Sequence, residues 1–200
     1  VNLTASDDTL TLVDSVSIGE DLTIQNGAMK INNGSSTTRL NIAVGNDLQV
    51  SSSGAITVGR ADAYQDNTDG TKGDYHQSYH TLEVYGNFVN EGIVKLTNLS
   101  GPDFDSRATN GAVSLVFKGE SDNEFRCKDT TLLYNLVIDK GSDRTYNLNL
   151  HSNKIEYFGL FGENNNNWNR LNSDDPDPET QKALWIKDGT LRLTGNIFIP

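Results

Sequence analysis

The chain has 200 residues, of which 35% are hydrophobic, with mean hydropathy −0.51 and a net charge of −11. That acidity argues against nucleic acid or an anionic membrane as partner, since both attract basic patches. No apolar run reaches the length of a membrane span, which argues against membrane insertion. Cys127 is the sole cysteine, so an intrachain disulfide and a thiolate metal cluster are both excluded.

Period-two alternation with β-branched and aromatic enrichment predicts strands nearly throughout. Leu10, Leu12, Val16 and Ile18 begin it, followed by Leu22/Ile24 and Met29/Ile31. Leu40/Ile42/Val44, Leu48/Val50 and Ile56/Val58 form a clear three-run phrase, LNIAVGNDLQVSSSGAITV. The phrase returns as LEVYGNFVNEGIVKL from Leu82, with Phe88 and Val94/Leu96 inward. Val113/Leu115/Phe117, Phe125, Leu133/Leu136/Ile138, Leu148/Leu150 and Ile155 carry it on less regularly. An incomplete copy, LWIKDGTLRLTGNIFI, runs from Leu184 to Ile199. A short helical turn is expected in DPETQKALW from Asp177, and nowhere else.

A phrase of strands and turns repeating in this way is the signature of a β-solenoid. The expected fold is a right-handed parallel β-helix, a single solenoid segment over 1–200. An antiparallel β-sandwich is the alternative that also yields short alternating strands. Gly45-Asn46, Gly86-Asn87 and Gly195-Asn196 are expected at equivalent corners, as are Gly27, Gly54, Gly92 and Gly189. Val1 in place of an initiating Met, and a stop directly after a strand, predict a piece of a longer polypeptide. Exposed terminal coils would then pair with more of the same chain or, end to end, with another copy.

Three long insertions interrupt the coils, at 59–81, 98–112 and 159–183, and the first two follow equivalent strands. Insertions at one corner of a solenoid project from the same side, often the binding face. The first carries Asp66, Asp69 and Asp74 around two glycines, oxygen ligands on a bent loop of the kind Ca²⁺ takes, though without an EF-hand's bidentate Glu. It also carries Tyr64, Tyr75, His76, Tyr79 and His80. Together with Trp168 in the third insertion, these tyrosines suit sugar stacking or protein contact, or else hold the loops onto the coils. His76 and His80 have a metal-ligand spacing only on a helix, which the pattern does not predict. Asp103, Asp105 and Arg107 in the second insertion are the groups a carbohydrate-active enzyme would use, but no catalytic motif is recognisable and no catalytic residue is assigned.

The stretch VSLVFKGESDNEFRCKDTTLLYNLVIDKGSDRTYNLNL resembles a recurrent segment of very large secreted proteins of Bacteroidetes-type bacteria. Those segments pair an aromatic-Asn-Leu-x-Ile-x-Lys rung, here Tyr134, Asn135, Leu136, Ile138 and Lys140, with a coil such as GTLRLTGNIFI. The resemblance implies a parallel β-helix on a secreted or cell-surface protein acting as adhesin, stalk or filament, with a glycan or protein as ligand. A polysaccharide lyase or glycoside hydrolase built on a β-helix is the alternative.

Overall fold

The computed structural model describes residues 1–6, 8–32, 40–59, 79–97, 112–161 and 183–199. Among them there is no α-helix, and the helical hydrogen bonding is confined to a short 3-10 turn at Ile155–Tyr157. Ile155, expected to continue the inward pattern, lies in that turn and is exposed. The helical turn expected from Asp177 falls outside the described residues.

Strands β1 (Asn2–Leu3) and β2 (Thr9–Leu12) open the chain, which then repeats one itinerary. Strand β3 (Val16–Ile18) turns a corner into β4 (Leu22–Ile31), and β5 (Asn41–Val44) turns the same corner into β6 (Leu48–Val58). In later circuits the long strand divides in two. These circuits are β7 (Tyr79–Val84), β8 (Phe88–Asn90) and β9 (Ile93–Lys95), then β10 (Ala112–Phe117), β11 (Asn123–Cys127) and β12 (Thr131–Leu133). Next come β13 (Asn135–Asp139), β14 (Asn147–Ser152) and β15 (Phe158–Leu160), and finally β16 (Leu184–Asp188) and β17 (Thr190–Gly195).

Each strand pairs in parallel with its counterpart one circuit on. A 6-stranded sheet runs β16-β13-β10-β7-β5-β3, and an 11-stranded sheet collects the rest. The larger sheet divides at β6, where Leu48–Val50 pair with β8 and Ala55–Thr57 with β9. Parallel pairing of sequence-distant strands rules out the antiparallel sandwich, whose neighbours run in opposite directions. The exception is an isolated antiparallel bridge between Thr97 and Ala112, beside a connector.

Register follows from the alternation, because a slip of one residue would turn every apolar side chain outward. Leu48 faces Phe88, Phe88 faces Phe125, and Phe125 faces Leu150, all fully buried. The Phe88 and Phe125 rings stack at 5.0 Å with 14° between planes, and Phe117 and Phe158 pack against Phe125 from the other strands. On the smaller sheet Ile42, Leu82, Leu115 and Leu136 form a matching column. Each such side chain contributes roughly 1.5–3 kcal/mol of burial.

The glycine corners divide into one equivalence that holds and one that does not. Gly27 pairs with Gly54, and Gly92 stands one residue before Ile93, the partner of Ala55. A Cβ on Gly54 would press into the Ile24 carbonyl oxygen, and one on Gly92 into those of Ser51 and Gly54, so successive backbones touch there. The Gly-Asn pairs are not in register. Val44 pairs with Val84 and Leu48 with Phe88, which sets Asp47, not Asn46, opposite Asn87. Gly195 pairs with Ser152 at a different corner, and Gly189 stands at the first corner, away from Gly27, Gly54 and Gly92.

Candidate functional site

The long connectors share one anchoring corner. Ile31 pairs with Val58, Ile56 with Val94, Val94 with Thr131, and Leu133 with Leu160, so the points where segments 33–39, 60–78, 98–111 and 162–182 leave lie in one column. The points of return Leu40, His80 and Val113 are likewise aligned by the register of the smaller sheet, and Ala183 stands one residue beyond that column, opposite Asn135. Between β12 and β13 the same corner is crossed by Tyr134 alone.

Tyr64, Tyr75, Trp168, Asp66, Asp69 and Asp74 lie outside the described residues, as do His76, Asp103, Asp105 and Arg107. Tyr79 is the first residue of β7, opposite Ala112, and its side chain is likewise outside them. Among the described residues no group of His, Cys, Asp and Glu is arranged to hold a metal ion. No helix among the described residues is long and apolar enough to cross a membrane.

His80 lies in the core at this corner, fully buried. The Leu40 N–H donates to its Nδ1 at 3.0 Å, and its Nε2 lies 3.1 Å from Asn32 Nδ2. Both ring nitrogens are thereby engaged, and the ring ties together the ends of two connectors. Asn32 reaches it from a left-handed backbone position at φ 64°, which Asn tolerates better than most residues.

The rung Tyr134-Asn135-Leu136-x-Ile138-x-Lys140 is almost wholly buried. Lys140 Nζ donates to the Lys118 carbonyl at 3.0 Å and to Asn123 Oδ1, joining two circuits through neutral oxygens. Burial pushes its ammonium below the ordinary lysine value, opposed only by the Asp122 charge. Cys127 is buried, and desolvation pushes its thiol up to about 12, against a bond to Thr131. Such a thiol is unreactive.

The outer face of β11, β14 and β17 is polar. Alternation points Glu124 and Arg126, Asn149 and His151, and Arg192 and Thr194 outward, while Phe125 and Leu150 between them are buried. Register aligns Glu124–Asn149–Arg192 in one column and Arg126–His151–Thr194 in the next. An open cleft of about 220 Å³ lies among Glu124, Arg126, Asn149, His151 and Thr194. Arg126 Nε meets Glu124 at 2.7 Å, which holds the Glu124 carboxyl below its usual range. His151 Nδ1 lies 3.1 Å from Thr194 Oγ1. The x-polar alternation of NEFRC, NLNLHS and TLRLTG carried this face in the sequence. The sequence reading attended to the apolar half of each pattern and missed the other half. No family model, curated protein or solved structure matches the chain.

Proposed function

We propose that the circuits form a right-handed parallel β-helix serving as a structural and adhesive segment of a secreted or cell-surface protein. The right-handed sense rests on the strong preference of parallel crossover connections for that hand. The observation that carries the functional reading is the common corner from which all the long connectors depart. A scaffold that keeps its circuits in register while placing its longest insertions at one corner concentrates variable chemistry along one side. Tyr64, Tyr75 and Trp168 belong to those connectors, with Tyr79 at the start of β7 where one returns, and they supply amphipathic contact area for a glycan or a protein surface. Asp66, Asp69 and Asp74 give the first connector an optional Ca²⁺ site.

The β16/β17 edge of the stack supports extension. Leu193 pairs with the fully buried Leu150 and Ile186 with the fully buried Ile138, yet both are about half exposed among the described residues. Parallel strands added at that edge, from a second copy, would restore the column. The test is attachment of the chain to immobilised glycans and to cell-surface protein extracts, with Ala at Tyr75, Tyr79 and Trp168. Reduced attachment at an unchanged unfolding midpoint supports the reading. A lowered midpoint with attachment intact assigns those rings to packing, and turnover of a polysaccharide overturns the non-catalytic role.

A further inference from the structure

We propose that the outer face of β11, β14 and β17 is a second binding site, independent of the connectors, for a uronate-bearing polysaccharide. Charge singles this face out. In a chain of net charge −11, Arg126 and Arg192 stand here, leaving Arg144 as the other arginine among the described residues. His151 stands between them, and the other described histidine, His80, is buried. Arg192 makes no ion pair among the described residues. Arg126, about half exposed, engages Glu124 through Nε, which keeps its two terminal nitrogens out of that ion pair. A planar guanidinium with a free pair of N–H donors matches the two oxygens of a carboxylate.

The remaining lining favours a sugar over other polyanions. Asn149 keeps its Oδ1 and a second N–H for hydroxyl groups, and Thr194 Oγ1 can accept from them, while their other donors go to the Asn123 and Leu150 carbonyls. Glu124, half exposed in the same cleft, repels closely spaced phosphates or sulfates but accepts hydrogen bonds from hydroxyls. A polymer of hydroxyl-rich rings with sparse carboxylates satisfies both halves of the site, and a densely charged, hydroxyl-poor chain satisfies only the arginine half. The site is built on paired strands, so the spacing of its side chains is fixed by register at roughly 4.8 Å per strand.

The experiment is affinity electrophoresis and calorimetry of the whole chain against polygalacturonate oligomers. The carboxyl-reduced neutral polymer and inorganic polyphosphate serve as comparisons. The site predicts binding of the uronate that weakens with added salt. Arg126→Ala or Arg192→Ala should lower affinity about fivefold to tenfold at an unchanged unfolding midpoint. Glu124→Gln should raise polyphosphate binding. The proposal is overturned by no uronate binding at millimolar concentration, by equal binding of the neutral polymer, by tighter binding of polyphosphate to the unaltered chain, or by indifference to both arginine substitutions. Retention of uronate binding by those variants, with loss on Ala at Tyr75 and Trp168, would move recognition to the connectors.

Discussion

Asp47 Oδ1 accepts the backbone N–H of Asn87 at 2.7 Å and its side-chain amide at 3.1 Å, one circuit further along the chain. The relationship repeats in both directions. Asp21 Oδ1 takes the Asp47 N–H at 3.1 Å, and Asn87 Oδ1 takes the Glu124 N–H at 2.9 Å. The column thus hands each corner amide to the side chain below it, satisfying donors that the turn would otherwise leave without a partner. After Glu124 the acceptor shifts. Asp122 takes the Asn147 N–H at 2.7 Å, and that bond holds its carboxyl below the usual range.

Removing a link in this column should destabilise the stack. Asp47→Ala deletes two acceptor contacts at a partly buried corner and is expected to cost about 1–2 kcal/mol. Asp47→Asn keeps an oxygen for the Asn87 N–H and should cost less. Urea unfolding of the two variants checks the order, and equal losses would show that the corner is held by packing alone.

The glycine corner allows no side chain. Gly92→Ala places a methyl group against the Ser51 and Gly54 carbonyl oxygens and is expected to cost about 1–3 kcal/mol by forcing successive backbones apart. Gly19→Ala is the control, since its Cβ would meet nothing within 4 Å. Thermal unfolding of both should separate them, and similar midpoints would mean the backbones do not approach at Gly92.

Phe125 joins the circuits at the centre of the core, touching Phe88, Phe117 and Phe158. Phe125→Ala should cost about 3–5 kcal/mol. Stability in a stack of repeats comes from neighbour contacts, so amide exchange should rise first in β8, β11 and β14 and least in β4. Uniform acceleration over the whole chain would contradict that locality.

Lys140 gives a pH dependence whose sign is fixed. Its native value is depressed by burial, so between that value and the ordinary lysine value of about 10.4 the unfolded chain binds more protons than the folded one. Stability attributable to this residue therefore rises with pH across that alkaline window, and below the depressed value the gain is absent. The difference in unfolding free energy between the natural chain and Lys140→Met, followed through the window, should drift in favour of the natural chain. Parallel curves would show that the ammonium is not desolvated.

How much of this was legible in the sequence depends on which physical signal each residue carries. The inward columns were legible because Leu48, Phe88 and Phe125 sit in strict alternation, and burial on one face demands it. The Gly54/Gly92 corner was legible because close backbone approach leaves only glycine. The offset between Gly45-Asn46 and Gly86-Asn87 was not, since it hinges on the single residue Tyr85, and the hydrogen bond that decides it comes from Asp47. Lys140 was legible as part of a recurring rung, but nothing local says that a lysine enters the core, because its acceptors on Lys118 and Asn123 arrive from the previous circuit. His80 read as one of a loop pair for the same reason: its partners Asn32 and Leu40 lie a circuit away. The proposed connector residues carry composition alone and no register.

Spin-label distances along one outward column test the stacked parallel circuits most directly. Thr23, Gln49, Val89, Arg126, His151 and Thr194 are successive partners in register. Labels at Thr194 paired in turn with His151, Arg126, Gln49 and Thr23 should separate by about 4.8 Å per strand crossed, reaching roughly 24 Å at Thr23. Buried Cys127 takes no label in the folded chain. Distances that grow in step with the number of strands crossed are the predicted result, and distances that fail to grow in that order would contradict the stack.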